Sequence, residues 1–137
     1  MATKQEIAAF MAAEFPKSTA TIVEVGGKSA TIRYAVTQDD LRPGGTVSGP
    51  TLMSLADTAL YVAILGTIGI VPLAVTSSLT INFLRKPTPS QSIVAICKLM
   101  KVGKSLAVGE VALFSEGNDE PVAHAVGTYA ISPSRTP

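Results

Sequence analysis

One carboxylate stands alone in this chain. Asp57 is the only charged residue between Arg42 and Arg85, and its neighbours Leu52, Met53, Leu55, Ala56, Ala59, Leu60, Val62, Ala63, Ile64 and Leu65 are all apolar. Aspartate is a poor helix former, and an unpaired buried carboxylate costs several kcal/mol or shifts towards its neutral form. A carboxyl group so placed can act as a general base or a nucleophile. Ser54 lies three residues before it and Tyr61 four after, so a polar stripe flanks it on one helical face. The residues alone leave a second reading open: Asp57 hydrogen-bonds to these neighbours, or faces a solvent-filled groove.

Composition narrows the remaining chemistry. The chain has 137 residues, enough for one domain spanning 1–137, and 47% of them are hydrophobic against 15% charged, which excludes a disordered protein. Eleven Lys and Arg face ten Asp and Glu, a net charge of +1, so no global field attracts nucleic acid or an anionic membrane. The single cysteine, Cys97, and single histidine, His124, exclude an internal disulfide, a Cys-rich zinc site and a multi-His metal centre. A Ser-His-Asp triad would depend on His124 alone.

The mean hydropathy of +0.38 and the charge-free residues 58–82 raise the question of a membrane span. Gly66, Gly69 and Pro72 interrupt that stretch, and strict alternation follows it. The N-terminus has no apolar core behind a basic start. The sequence is expected to be cytoplasmic, with no membrane or nucleic-acid partner.

The elements that hold Asp57 follow from periodicity. Thr3 and Glu6 have capping-box spacing, and Ile7, Phe10, Met11 and Phe15 recur at helical intervals, predicting an N-terminal helix within 1–16. Segments 19–25 and 28–36 are β-branched and meet at Gly26-Gly27, a hairpin. Residues 38–49 form a loop. Pro50 opens a helix expected to run to about Leu65, with Gly66 near its end. Four strands follow at 75–84, 92–102, 105–115 and 121–131, and 133–137 form a tail. In the first of these strands, Val75, Leu79, Ile81 and Phe83 alternate with Thr76, Ser78, Thr80 and Asn82, predicting one buried and one polar face. A helix apolar nearly all round must be covered, and the sheet is the only cover available. The expected architecture is α+β, an antiparallel sheet wrapped around one central helix.

The run from Gly44 to Ala59 carries a resemblance, with Gly44-Gly45 ahead of Ser48-Gly49-Pro50 and Asp57 two turns inside the helix. It continues through Val75-Thr76, Asn82-Phe83-Leu84-Arg85 and the late Gly127-Thr128-Tyr129. From about Thr19 to Ile131 the chain resembles the hot-dog-fold acyl-CoA thioesterases of the phenylacetate-degradation type, in the 4-hydroxybenzoyl-CoA thioesterase-like superfamily. The resemblance implies that Asp57 is the catalytic acid, Gly49 the oxyanion-hole glycine and Thr76 the hydroxyl that places water. It also implies an acyl-CoA substrate, with coenzyme A part of that substrate and no separate cofactor. Ser48 stands where the family usually has His, Pro50 where its second Gly would be, and Arg42 where many relatives carry Asn.

Physical chemistry adds a constraint. A glycine at a helix N-terminus offers an unpaired N–H, strengthened by the helix dipole, to a developing oxyanion. Asp57 follows Gly49 by eight residues, which is about 12 Å along one helix at ~1.5 Å per residue. One carbonyl carbon cannot lie within about 3–3.5 Å of groups held by both. Two antiparallel helices, one from each of two subunits, solve the problem, so a homodimer or tetramer is expected.

Arg42, Ser48, Ser54 and Tyr61 are candidate substrate contacts. Arg85 and Lys86 close one strand and Lys101 and Lys104 flank the Gly103 turn. Gathered at one rim, these four would suit the phosphates of coenzyme A; left apart, they are ordinary solubilising charges. His124 is expected to be a hydrogen-bonded strand residue and Cys97 a packing residue. The central helix lacks a histidine, which argues against a hydratase. A non-catalytic acyl-CoA or lipid-like ligand binder is the rival reading, kept open by Ser48.

Overall fold

The computed structural model describes residues 1–131; the tail expected at 133–137 lies outside them. Its elements run α1 (Lys4–Glu14), β1 (Thr21–Gly26), β2 (Ser29–Tyr34), a 3-10 turn (Gln38–Asp40), α2 (Gly49–Ile68), β3 (Val75–Phe83), β4 (Ile93–Val102), β5 (Leu106–Ser115) and β6 (Ala123–Ala130). The six strands form one antiparallel sheet in the order β1-β2-β4-β5-β6-β3. It curls around α2, which touches all six strands. This is the hot-dog fold, as the resemblance implied. Among the described residues α2 alone is long and apolar enough to cross a membrane, but Leu52, Leu55, Ala56 and the run Ala59–Gly66 are buried inside the sheet.

The N-terminal capping box forms as its spacing predicts. The Thr3 N–H donates to Glu6 Oε1 at 2.9 Å, and the Glu6 N–H donates to Thr3 Oγ1 at 3.1 Å. Ile7 is buried, fastening α1 to the core.

Two expectations need correction. The central helix runs past Leu65 to Ile68, and Gly66 is not its end. A Cβ on Gly66 would meet Val25 Cγ2 at 2.4 Å, so this glycine lets β1 approach the helix. Gly69, at φ +100°, supplies the conformation that ends α2.

The predicted buried face of β3 is largely open. Val75 is 58% exposed and Phe83 53%, because β3 lies at the sheet edge with only β6 beside it. A bulge at Ser77 also changes which residues share a face. Thr76 pairs with Tyr129, but Ser78 pairs with Thr128 and Leu79 with Gly127. The extra residue reverses the alternation, so Thr76 joins Leu79, Ile81 and Phe83 on the side facing α2, and Val75 leaves it.

Candidate active site

Asp57 sits half-buried on α2 at the wall of a cavity of about 800 Å3. Its Oδ1 accepts two hydrogen bonds, from Thr76 Oγ1 at 2.6 Å and from Tyr129 Oη at 2.9 Å. The bulge makes this possible, since it turns Thr76 to the same face as its cross-strand partner Tyr129. Among the described residues no hydrogen bond reaches Oδ2, which leaves that oxygen for a water or a substrate. Burial, then the adjacent Asp57 carboxylate, holds the Tyr129 phenol well above the ordinary tyrosine value, so it remains a protonated donor.

Neither flanking residue on α2 binds the carboxylate. Tyr61 Oη donates instead to the Val71 carbonyl at 3.1 Å, and its ring stacks on Tyr129 at 5.6 Å between centroids. Phe10 and Phe15 pack edge-on or tilted against Tyr61, completing an aromatic wall. Ser54 and Tyr61 both line the cavity, as do Met11 and Phe15 from α1 and its end. The sequence reading brought Asp57, Thr76, Ser54 and Tyr61 to this place but did not single out Tyr129. Its signal was available in Gly127-Thr128-Tyr129, a phenol on the buried parity of the last strand.

Gly49 is the first residue of α2, where an N–H has no carbonyl one turn behind it. The ring of Phe83 lies over its Cα: a Cβ there would come 3.2 Å from Phe83 Cζ. Gly49 and Asp57 share one helix, so the separation inferred from sequence stands.

Residues 44–122 match the sequence profile of the thioesterase superfamily, more than half of the chain. The chain belongs to the thioesterase superfamily. Membership makes it a hydrolase acting on thioester bonds. A Silicibacter sp. TM1040 protein provisionally classed as a thioesterase is 38% identical, with 96% of this chain and 92% of that one covered and a TM-score of 0.88. The Escherichia coli PaaI protein of the phenylacetic acid degradation operon is 23% identical, at 96% and 94% coverage and a TM-score of 0.84. A Streptococcus mutans UA159 protein bound to acetyl-CoA is 18% identical, at 87% and 93% coverage and a TM-score of 0.75. The last two likenesses establish the fold. No protein of curated function matches the chain in sequence.

In this thioesterase the loop before α2 is organised by a residue the sequence reading passed over. Asp40 Oδ2 accepts from Tyr34 Oη at 2.7 Å, from the Thr37 N–H at 2.8 Å and from Thr37 Oγ1 at 3.0 Å. Its Oδ1 accepts from Thr51 Oγ1 at 3.2 Å, and its carbonyl accepts from the Ser48 N–H at 2.7 Å. Ser48, a candidate substrate contact, instead caps α2: its Oγ accepts from the Thr51 N–H at 3.3 Å and lies 2.9 Å from Thr51 Oγ1. The cap fixes the Ser48 hydroxyl at the entrance of α2.

Asp40 thereby acquires a pH signature. Burial opposes its ionisation, but the hydrogen bonds from Thr37, Tyr34 and Thr51 outweigh it and hold the pKa below the ordinary value of 3.8. A depressed pKa contributes stability that is full above the unfolded value and lost as pH falls through the folded one. The stability gap between wild type and Asp40→Asn should therefore shrink on acidification from pH 7 to 3, followed by urea unfolding. A gap independent of pH would rule out this role.

Three further assignments change. Arg42 opens the exposed turn that returns at Thr46, its N–H donating to the Thr46 carbonyl at 2.7 Å, and it does not line the Asp57 cavity. Arg85 is engaged by the turn before β6, donating to the Pro121 carbonyl and pairing with Glu120 at 3.3 Å. The four basic residues do not gather at one rim. Phe83 pairs with Ala123 and Val75 with Ala130, while Ala130 also pairs with Leu106. Arg85 and Lys86 therefore lie beyond one end of β3, and Lys101 and Lys104 beside the other, about 30 Å away at ~3.3 Å per residue.

His124 and Cys97 behave as expected. His124 Nε2 lies 2.9 Å from Glu110 Oε1, on the sheet face turned away from α2. Cys97 is fully buried, and burial with Glu110 nearby pushes its thiol up to about 12, which removes it as a nucleophile at neutral pH.

Proposed function

We propose that this protein hydrolyses acyl-CoA thioesters to a carboxylic acid and free coenzyme A, at centres shared between two subunits. The observation that carries the reading is Asp57 in the wall of an aromatic-lined cavity, held by Thr76 and Tyr129 through one oxygen and, among the described residues, unbonded at the other. The Gly49 N–H of one chain polarises the thioester carbonyl and takes up the oxyanion charge. Asp57 of the other chain either draws a proton from a water placed with the help of Thr76, or attacks the carbonyl itself and is released by water. In both routes one water is consumed, the C–S bond breaks, and the thiolate leaves as coenzyme A after protonation. Coenzyme A enters with the substrate, and no separate cofactor is invoked. The acetyl-CoA held by the Streptococcus mutans protein on the same fold supports this ligand class.

The open edge of β3 supports a dimer. Val75 and Phe83 on this strand, and Leu84 just after it, are half or more exposed, and the strand has one free side, the kind of edge that pairs with another chain. Antiparallel pairing of two β3 edges lays the Val75 end of one strand beside the Phe83 end of the other. It sets Asp57 of one chain towards Gly49 of its partner. It also places Lys101 and Lys104 of one chain at the same end of the joined sheet as Arg85 and Lys86 of the other, three to four strands apart.

Thiol release measured across a panel of acyl-CoAs, with free coenzyme A detected directly, tests the reading. Turnover of at least one member at kcat/KM above about 10^4 M−1 s−1 is expected. Tight binding without thiol release would establish the non-catalytic ligand binder instead, the reading kept open by Ser48 in place of the family's usual His.

A further inference from the structure

Beside the Asp57 cavity lies a second one of about 370 Å3 that shares Met11, Ser18 and Thr58 with it. This lobe lies between α1, the start of β1 and α2. Its floor is Val62 and Ile32, both buried, and its α1 side presents Ala8 and Ala12, one turn apart. The two cavities differ in kind. Phe15, Tyr61 and Tyr129 wall the first, whereas no aromatic side chain and only one charged residue, Lys4, line the second among the described residues. Small alanines leave the space open, and Met11, unbranched and adaptable, stands where the two meet. A lobe next to the Asp57 cavity, aliphatic at Ile22, Ile32 and Val62, polar only at Lys4 and the hydroxyls of Ser18, Thr19, Thr21 and Thr58, suits a flexible hydrocarbon chain and offers a planar ring nothing to stack on.

We propose that this lobe receives the alkyl tail of the acyl group, which makes the substrates medium-chain aliphatic thioesters. The proposal rests on the thioesterase reading of Asp57. At ~30 Å3 per water-sized group, the lobe holds about a dozen methylenes at most. Burying each one should raise kcat/KM roughly fourfold until the lobe is full.

The test measures kcat/KM for a series from acetyl-CoA to tetradecanoyl-CoA, with phenylacetyl-CoA alongside, on wild type and Ala12→Leu. Ala12 is exposed on α1 and leucine is a good helix former, so the variant should fold, which thermal unfolding verifies. Wild type should climb with chain length and level off near ten to twelve carbons. In Ala12→Leu the ratio of kcat/KM for decanoyl-CoA to that for butyryl-CoA should fall at least tenfold. A flat wild-type profile, phenylacetyl-CoA as the best substrate, or an unchanged ratio in the variant would each overturn the proposal. If no thioester is cleaved, the thioesterase reading fails, and calorimetric binding of the same series decides the lobe separately. Affinity rising with chain length in wild type and lost in Ala12→Leu upholds it; affinity indifferent to chain length refutes it.

Discussion

Asp57→Asn should lower kcat for acyl-CoA hydrolysis by at least ~10²-fold while the protein stays folded. The asparagine carbonyl oxygen can still accept from Thr76 Oγ1 and Tyr129 Oη, so the two bonds that fix this side chain survive. What disappears is the carboxylate oxygen left free by those bonds, and with it the base or nucleophile. KM should change little, because acyl and nucleotide contacts lie elsewhere. Stability should be equal or slightly higher, since a charge is removed from a partly buried helix position. Steady-state kinetics with a thermal melt on the same preparation separates these effects. Hydrolysis at the wild-type rate would remove Asp57 from the mechanism.

Mixing two dead variants should restore about a quarter of wild-type activity. Asp57→Asn lacks the acid, and Gly49→Val blocks the approach to the oxyanion donor. The new side chain begins 3.2 Å from the far end of the Phe83 ring, which has to give by only a few tenths of an ångström, so the fold should tolerate it. Each homodimer carries the same defect at both centres. In a mixed dimer one centre collects both defects, and the other combines the intact Asp57 of one chain with the intact Gly49 of its partner. Random reassortment of equal amounts makes about half of the dimers mixed, each with one working centre of two. Native mass spectrometry verifies the exchange. A site contained in one chain would give no recovery, because every chain carries a defect.

Much of this arrangement was legible in the residues. The isolated Asp57, the glycine at the helix entrance and the capping box of α1 are local signals, and local physics decides them. Whatever depended on pairing register was not legible. Alternation placed Thr76 with Ser78 and Thr80 on a polar face, yet the inserted Ser77 carries it across to Asp57. Tyr129 lies 72 residues from Asp57, so nothing in a local window couples them. The lysines at the Gly103 turn and the basic pair after β3 both looked like strand ends, and only the register reveals that they are opposite ends. Gly66 resembled a stop signal because a glycine kept for space and one kept for its dihedral angles look alike in sequence.

A cylinder that is greasy on every side has no preferred rotation inside a greasy sleeve, and α2 is nearly such a cylinder. Its setting comes from shape instead. Gly109 and Gly127 face each other across β5 and β6, and a Cβ on either would strike Leu60, at 2.8 and 2.6 Å. The pair forms a notch and Leu60 a key, one turn beyond Asp57 on the same helix. Seating the key fixes the azimuth of the whole rod, so the acid meets Tyr129 and Thr76 instead of a neighbouring patch of sheet. The aim of Asp57 is thus set by two missing methyl groups, one on β5 and one on the strand that also carries Tyr129.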